Sequence, residues 1–257
     1  MQIIIHTLGR SKFELQHTLQ TLLECEILPT LVVQEHEADE YQWYEGPVYI
    51  LPPRIKRLAE TRDYIIHDMP GPDHVVFLDD DLRFAARRED DRTKFRPASQ
   101  ADIHAMFKMI DHQLDCYAMV GIGAREGGNR NTEEFLYNTR IMRVLGFSRN
   151  YLKKHHITFS PLVVMEDFHV NLQILRTGAP TCVCNMWVSD QVGGSDAPGG
   201  CSAYRTAEVQ TESAHLLASR HPGFVKVVKK KGWQGQGERT DVIIQWKQAY
   251  AAGQRNL

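Results

Sequence analysis

The hydrophobic positions of the first eighty residues fall in short unbroken runs rather than in strict alternation. QIIIHT (2–7), TLVVQ (30–34), VYIL (48–51) and VVFL (75–78) have the pattern of strands covered on both faces of a sheet. Between them the period changes. SKFE (11–14) has the S-x-x-E form of a capping box, and Leu15, Leu19 and Leu22 follow at helical spacing; IKRLAETRDYIIHD (55–68) reads as a second helix. Strands and helices in alternation predict a mixed, mostly parallel sheet flanked by helices, with ligands bound beyond the carboxyl ends of the strands. Those ends carry Thr7-Leu8-Gly9-Arg10, Gln34-Glu35 and Asp79-Asp80-Asp81.

Farther along, RFAARREDDRTKFR (83–96) holds six Lys or Arg against three Asp or Glu, which reads as a solvated loop. Ser99 is placed to cap a helix through DIHAMFKMIDHQL, and YAMVGIG (117–123) reads as a strand entering the loop AREGGNRN. NYLKKHH (150–156) and VMEDFHVNLQILRTG (164–178) read as helices, the second stopped by Gly178, and TCVCNMWV (181–188) returns as a strand. QVGGSDAPGG (191–200) has too much glycine for a regular element. It suits either a lid or a surface connection, and TAEVQTESAHLLASR then starts a helix at Thr206.

Composition narrows the class. Hydrophobic residues at 42% and charged residues at 24% are globular values, and no segment approaches the ~18 apolar residues of a membrane span. MQIIIHTLGR is too short an apolar run for a secretory signal, so a cytoplasmic location is expected. Cys25, Cys116, Cys182, Cys184 and Cys201 are scattered without a second close pair, which argues against zinc and for buried free thiols. A net charge of −2 gives no global field for nucleic acid. Local clusters at Arg87-Arg88, Lys153-Lys154 and Lys229-Lys230-Lys231, the last beside Trp233, read either as plain surface or as phosphate contacts.

The candidate chemistry starts at the three aspartates. Adjacent carboxylates after a fully apolar strand suit a hard divalent cation, and Asp79 and Asp81, two apart, fall on one side of an extended chain. Arg62 lies inside the apolar stripe of its helix, so it needs a partner: a core carboxylate, the aspartates or an anionic ligand. Glu166 and Asp167 open a helix, where they either answer its dipole or serve as a general base.

Taken together, the TLGR opening, FLDDD, Arg62 and MEDFHVNLQILRTG resemble the GT-A glycosyltransferases, nucleotide-sugar enzymes with a D-x-D metal motif and an E-D motif. More narrowly, the layout and GGSDAPGGCSAYRT resemble the phage glycosyltransferases associated with TET-like dioxygenases, thought to glycosylate 5-hydroxymethylcytosine in DNA. The resemblance implies one GT-A-like, Rossmann-like domain over 1–257, with a nucleotide-sugar half at 1–98 and an acceptor half at 99–257 carrying a lid and C-terminal helices. It places Thr7, Gly9 and Arg10 on the nucleotide and Glu35 near the base. Arg62 would reach the diphosphate or hold the aspartates, Asp79 and Asp80 would face the donor, and Asp81 with Asp79 would hold Mn²⁺ or Mg²⁺. Asp167, with Glu166 beside it, would be the base if the transfer inverts the anomeric centre. An extra histidine ligand is common in such enzymes; His215 and His221 are both candidates and neither is marked. The lid would bring Ser202 or Arg205 to the diphosphate.

The expected reaction is therefore transfer from a UDP-sugar to a hydroxyl on modified double-stranded DNA, in host cytoplasm and without a membrane partner. A glycan or small-molecule acceptor, or a non-catalytic nucleic-acid binder or metal nuclease, are the rival readings.

Overall fold

A computed structural model describes residues 1–192, 200, 204–231 and 237–255. The four apolar runs form β1 (Gln2–His6), β2 (Thr30–Gln34), β3 (Val48–Leu51) and β4 (His74–Leu78), joined in parallel in the order β3-β2-β1-β4. Successive residues of a strand face opposite sides, so Ile4 and Ile5 enter different cores. On one side α1 (His17–Glu24) brings Leu19 and Leu22 to the core of Ile5, Leu31 and Val33. On the other, α2 (Leu58–His67) brings Ala59, Ile65 and Ile66 to the core of Ile4, Val32 and Phe77. Covering both faces is what makes these strands continuous apolar runs.

Beyond β4 the sheet becomes mixed. β9 (Val144–Ser148) lies antiparallel between β4 and β7 (Met119–Ala124), and β10 (Cys182–Gln191) runs parallel to β7. β1, β4, β7 and β10 therefore share a direction, and their carboxyl ends share one edge of the sheet. The far side of β10 serves two neighbours in turn. Cys182–Cys184 pairs with β8 (Phe135–Tyr137), and after an irregularity Trp187–Gln191 pairs with β5 (Leu82–Arg87), itself paired with β6 (Phe95–Pro97).

The helices α3 (Gln100–Leu114), α4 (Arg149–Lys154) and α5 (Glu166–Arg176) follow the expected pattern, α3 with the Ser99 cap. A third core joins α5 to α6 (Ala207–Arg220), the antiparallel hairpin β11 (Val225–Lys231) and β12 (Glu238–Ile244), and α7 (Trp246–Gln254). Among the described residues, no helix is long and apolar enough to cross a membrane.

Three expectations are corrected. Ser11 caps no helix: its hydroxyl donates to Glu40, residues Phe13–Leu15 form a 3₁₀ turn, and α1 begins at His17. The stretch 83–96 is not a loop throughout, because β5 and β6 occupy its two ends. Arg87 is buried there, and among the described residues it has no carboxylate partner. Its guanidinium donates to the carbonyls of Asn185 (2.6 Å), Arg92 (2.6 Å) and Gly128 (2.9 Å) and lies over the Phe95 ring, so it ties backbone segments together. Of the cysteines, Cys25, Cys182 and Cys184 are buried free thiols but Cys116 is exposed; Cys201 lies outside the described residues.

Candidate active site

The shared strand edge opens into a cleft of about 690 Å³. The turn after β4 is its floor. Thr18, in the first turn of α1, fixes that turn by backbone contacts: its Oγ1 donates to the Asp79 carbonyl (2.6 Å) and accepts from Leu82 N (2.8 Å), while its own N donates to the Asp80 carbonyl (3.1 Å). With the main chain held, the three carboxylates diverge into different surroundings.

Asp80 points inward. It accepts from Thr7 Oγ1 (2.7 Å) and from Arg10, and burial pushes its pKa up to about 6 against the pull of that arginine. Asp81 accepts from Arg10 (3.1 Å) and from Gln191 Nε2 (3.3 Å) at the end of β10; burial, with Asp79 adding to it, raises its pKa. Asp79 is the most open of the three, its side chain 26% exposed. Burial opposes its ionisation, but His6 and the Arg62 guanidinium (3.3 Å) outweigh this and hold it below the usual carboxylate range.

Arg62 resolves its two readings by doing both. Buried among Phe77 and Phe159, it donates to Glu166 (2.7 Å) and to Asp79, so it ties the start of α5 to the aspartate turn. Arg62→Met removes the ion-pair partner of the buried Glu166 and is expected to cost about 3–5 kcal/mol. A fall in the urea midpoint at constant m-value reads it, and a loss below about 1 kcal/mol, the range of exposed pairs, refutes the tie.

Glu166 is buried, and burial raises its pKa against Arg62. Asp167, the next residue, is only half-buried and lines the cleft. One of its oxygens accepts from Phe168 N (2.9 Å), and burial raises its pKa against the pull of Arg140 and Arg62. Arg140 itself lies over the Phe168 ring, 4.7 Å from its centre. Two non-glycine residues of the cleft, Arg143 and Met165, hold left-handed backbone (φ 66° and 67°), as do Glu26, Asn138 and His156 elsewhere.

Of the other candidates, Gly9 takes the left-handed conformation (φ 68°) that glycine alone adopts freely, and its N–H donates to Glu37 (2.8 Å). Glu37, which the sequence did not mark, is a buried carboxylate that fixes the Gly9 turn; Glu35 is exposed and lines an adjoining recess with Leu8, His36 and Lys56. Arg205 lines the cleft, as do Gly200 and Tyr204; Gly200 N donates to the Leu8 carbonyl (2.8 Å). Ser202 and most of the glycine-rich segment lie outside the described residues.

Neither histidine reaches the aspartates. His215 is exposed away from the cleft, and His221 is buried against His169 (2.8 Å) between α5 and α6. Burial lowers His169 to about 4 and His221 to about 3. Both are then neutral when folded and protonate near 6.5 when unfolded, so the stability they contribute is present above about pH 6.5 and is lost as pH falls toward 4. Nitrogen chemical shifts should show two neutral rings at pH 5.5. A midpoint near 6.5 for either ring contradicts this.

The donor set suits a hard divalent cation: carboxylate oxygens of Asp79 and Asp81 line the cleft floor, and Asp79 is partly open to it. Among the described residues no three His, Cys, Asp or Glu side chains form a metal cage. A cation here would complete its shell from phosphate and water.

A family model described as TET-Associated Glycosyltransferase matches residues 1–200, which take in the β1 and β4 ends and the start of α5. No curated protein matches the chain in sequence. Among solved structures it is similar to mannosyltransferase PcManGT from Pyrobaculum calidifontis in complex with GDP-Man and Mn²⁺ (13% identity, 71% of this chain and 55% of that one, TM-score 0.47). It is also similar to a CMP:2-keto-3-deoxy-manno-octonic acid synthetase complexed with CTP (12%, 77% and 93%, 0.49) and to GalNAc-T7 with UDP, GalNAc and Mn²⁺ (11%, 85% and 48%, 0.47). The chain spans about half the length of the two transferases.

Proposed function

Since the chain belongs to the TET-associated glycosyltransferase family, we propose that it moves a sugar from a UDP-sugar to a hydroxyl group, that of 5-hydroxymethylcytosine in duplex DNA. The observation that carries this reading is the joining of two acidic elements around one cleft. Arg62 bonds both Asp79 on the β4 turn and Glu166 at the start of α5, which places Asp167 over the same space.

In the proposed reaction Asp167 accepts the proton of the acceptor hydroxyl as that oxygen bonds to the anomeric carbon. The bond from this carbon to the diphosphate oxygen breaks, and the electron pair leaves with UDP. Asp79 and Asp81 hold Mn²⁺ or Mg²⁺, which when bound offsets charge on the leaving diphosphate. Thr7, Gly9 and Arg10 border the nucleotide, with Asp80 fixing Thr7 and Arg10 in place. Lys56, Arg57 and Arg205 line the cleft and suit the diphosphate. Residues 1–98 thus supply most donor contacts and 99–257 the acceptor side, in the host cytoplasm where nucleotide sugars and DNA meet.

The test is mass spectrometry of nucleosides from duplex DNA containing 5-hydroxymethylcytosine, incubated with the protein, Mn²⁺ and a panel of UDP-sugars. A hexose added to the modified nucleoside is expected. Strand cleavage without sugar transfer, or transfer only to glycans, overturns the reading.

A further inference from the structure

The family match ends at residue 200, yet the cleft does not: Lys230, Arg239 and Asp241 of the β11–β12 hairpin also line it. The hairpin is a ribbon of two strands in a sheet of its own, with Lys226 opposite Ile243, Val228 opposite Asp241 and Lys230 opposite Arg239. Opposed residues of an antiparallel pair share a face. Val225, Val227, Val242 and Ile244 therefore form one face and belong to the core built with α5, α6 and α7, where Lys229 Nζ also donates to Thr240 Oγ1 (2.9 Å). The other face carries Lys226, Val228, Lys230, Arg239, Asp241 and Ile243, with Lys226, Lys230 and Ile243 exposed and Val228 half-buried.

Charge is concentrated here. The two strands hold Lys226, Lys229, Lys230, Lys231 and Arg239 against Glu238 and Asp241, a balance of 5 − 2 = +3 in a chain whose net charge is −2. Asp241 is shared between Lys230 and Arg239 (3.1 Å to each), which sets the two cations side by side on the open face. Lys226 and Lys230 stand apart along this face with Val228 between them, so the ribbon offers separate cations to separate phosphates of one backbone. The duplex major groove admits a two-stranded β-ribbon, and a substituent on pyrimidine C5, such as the hydroxymethyl group of the acceptor, projects into that groove.

We infer that the open face of the β11–β12 hairpin is the docking surface for the sugar-phosphate backbone of duplex DNA, presenting the major-groove edge of the target pyrimidine to the cleft. The inference rests on the DNA reading above and adds where the acceptor is held. Lys226 and Lys230 pair with phosphates, and Ile243 lies against the deoxyribose or base edge between them.

Lys226→Ala combined with Lys230→Ala separates this inference from the function it rests on. Binding to a fluorescent duplex containing 5-hydroxymethylcytosine is measured as anisotropy from 50 to 200 mM salt, with the thermal unfolding midpoint reporting that the core beneath the hairpin is intact. The double variant is expected to bind duplex roughly tenfold or more weakly at low salt, with a log–log salt slope shallower by about 1.8, that is about 0.9 for each phosphate no longer neutralised. Lys226→Arg with Lys230→Arg should keep the wild-type slope. If the unsubstituted chain neither binds nor glycosylates duplex, both readings fall. If it glycosylates duplex and the alanine variant keeps its affinity and slope, the hairpin assignment alone falls. Binding of the unsubstituted chain to anionic lipid vesicles in preference to duplex overturns the assignment as well.

Discussion

Asp167→Asn is expected to lower kcat for sugar transfer by about 10²–10⁴-fold while UDP affinity stays near that of the unsubstituted chain. The change is nearly isosteric, and the amide oxygen can still accept from Phe168 N, so the helix start keeps its geometry. What disappears is a group able to take a proton. Asp167 suits that role better than its neighbour: Glu166 is buried and committed to Arg62, whereas Asp167 is half-buried and open to the cleft. Calorimetric UDP binding set against single-turnover transfer makes the comparison. A parallel loss of binding and turnover would assign Asp167 to ligand binding or to architecture.

Asp81→Asn is expected to abolish most metal-dependent transfer, a loss of roughly 10³-fold if charge compensation is worth about 4 kcal/mol. An amide is a poor ligand for a hard cation. Because Asp81 also meets Arg10 and Gln191, activity alone cannot separate ligation from packing. The thermal shift does: Mn²⁺ with UDP should raise Tm for the unsubstituted chain by mass action and should fail to do so for the variant. An unaltered metal-dependent shift in Asp81→Asn sinks the assignment, whatever happens to turnover.

Where local sequence failed, the missing information was a long-range partner. The strands of the parallel half are legible because both faces are covered, leaving IIIH, LVV and VVFL as unbroken apolar runs. Arg62 is legible for a related reason, since a cation inside an apolar stripe must be paired; which carboxylates pair with it depends on α5 arriving from far along the chain. Arg87 misled because buried arginines normally need acids, and here carbonyl oxygens suffice. The β11–β12 hairpin was hidden because β11 does not alternate: Val228 falls on the open face and Lys229 and Lys231 on the packed one. Glu37 and Arg140 carry no local mark. One reaches the Gly9 backbone from a 3₁₀ turn, and the other lines the cleft while lying over Phe168.

The pairing of β5 with the far end of β10 bears on how the protein is made. β4 and β5 are consecutive in sequence, separated only by the aspartates, yet in the sheet β9, β7 and β10 stand between them. As translation proceeds, β5 emerges early and then waits, because Leu82 finds its partner Gln191 only after the intervening strands have been synthesised. Such non-local closure makes folding slow and leaves one edge of β5 unpaired in the nascent chain, its other edge being met by β6. The second arm of the aspartate turn, held at Leu82 by Thr18, gains its strand partner only when that closure happens. A prematurely terminated product ending before β10 would therefore lack a finished acidic turn, so ligand capture is tied to near-complete synthesis.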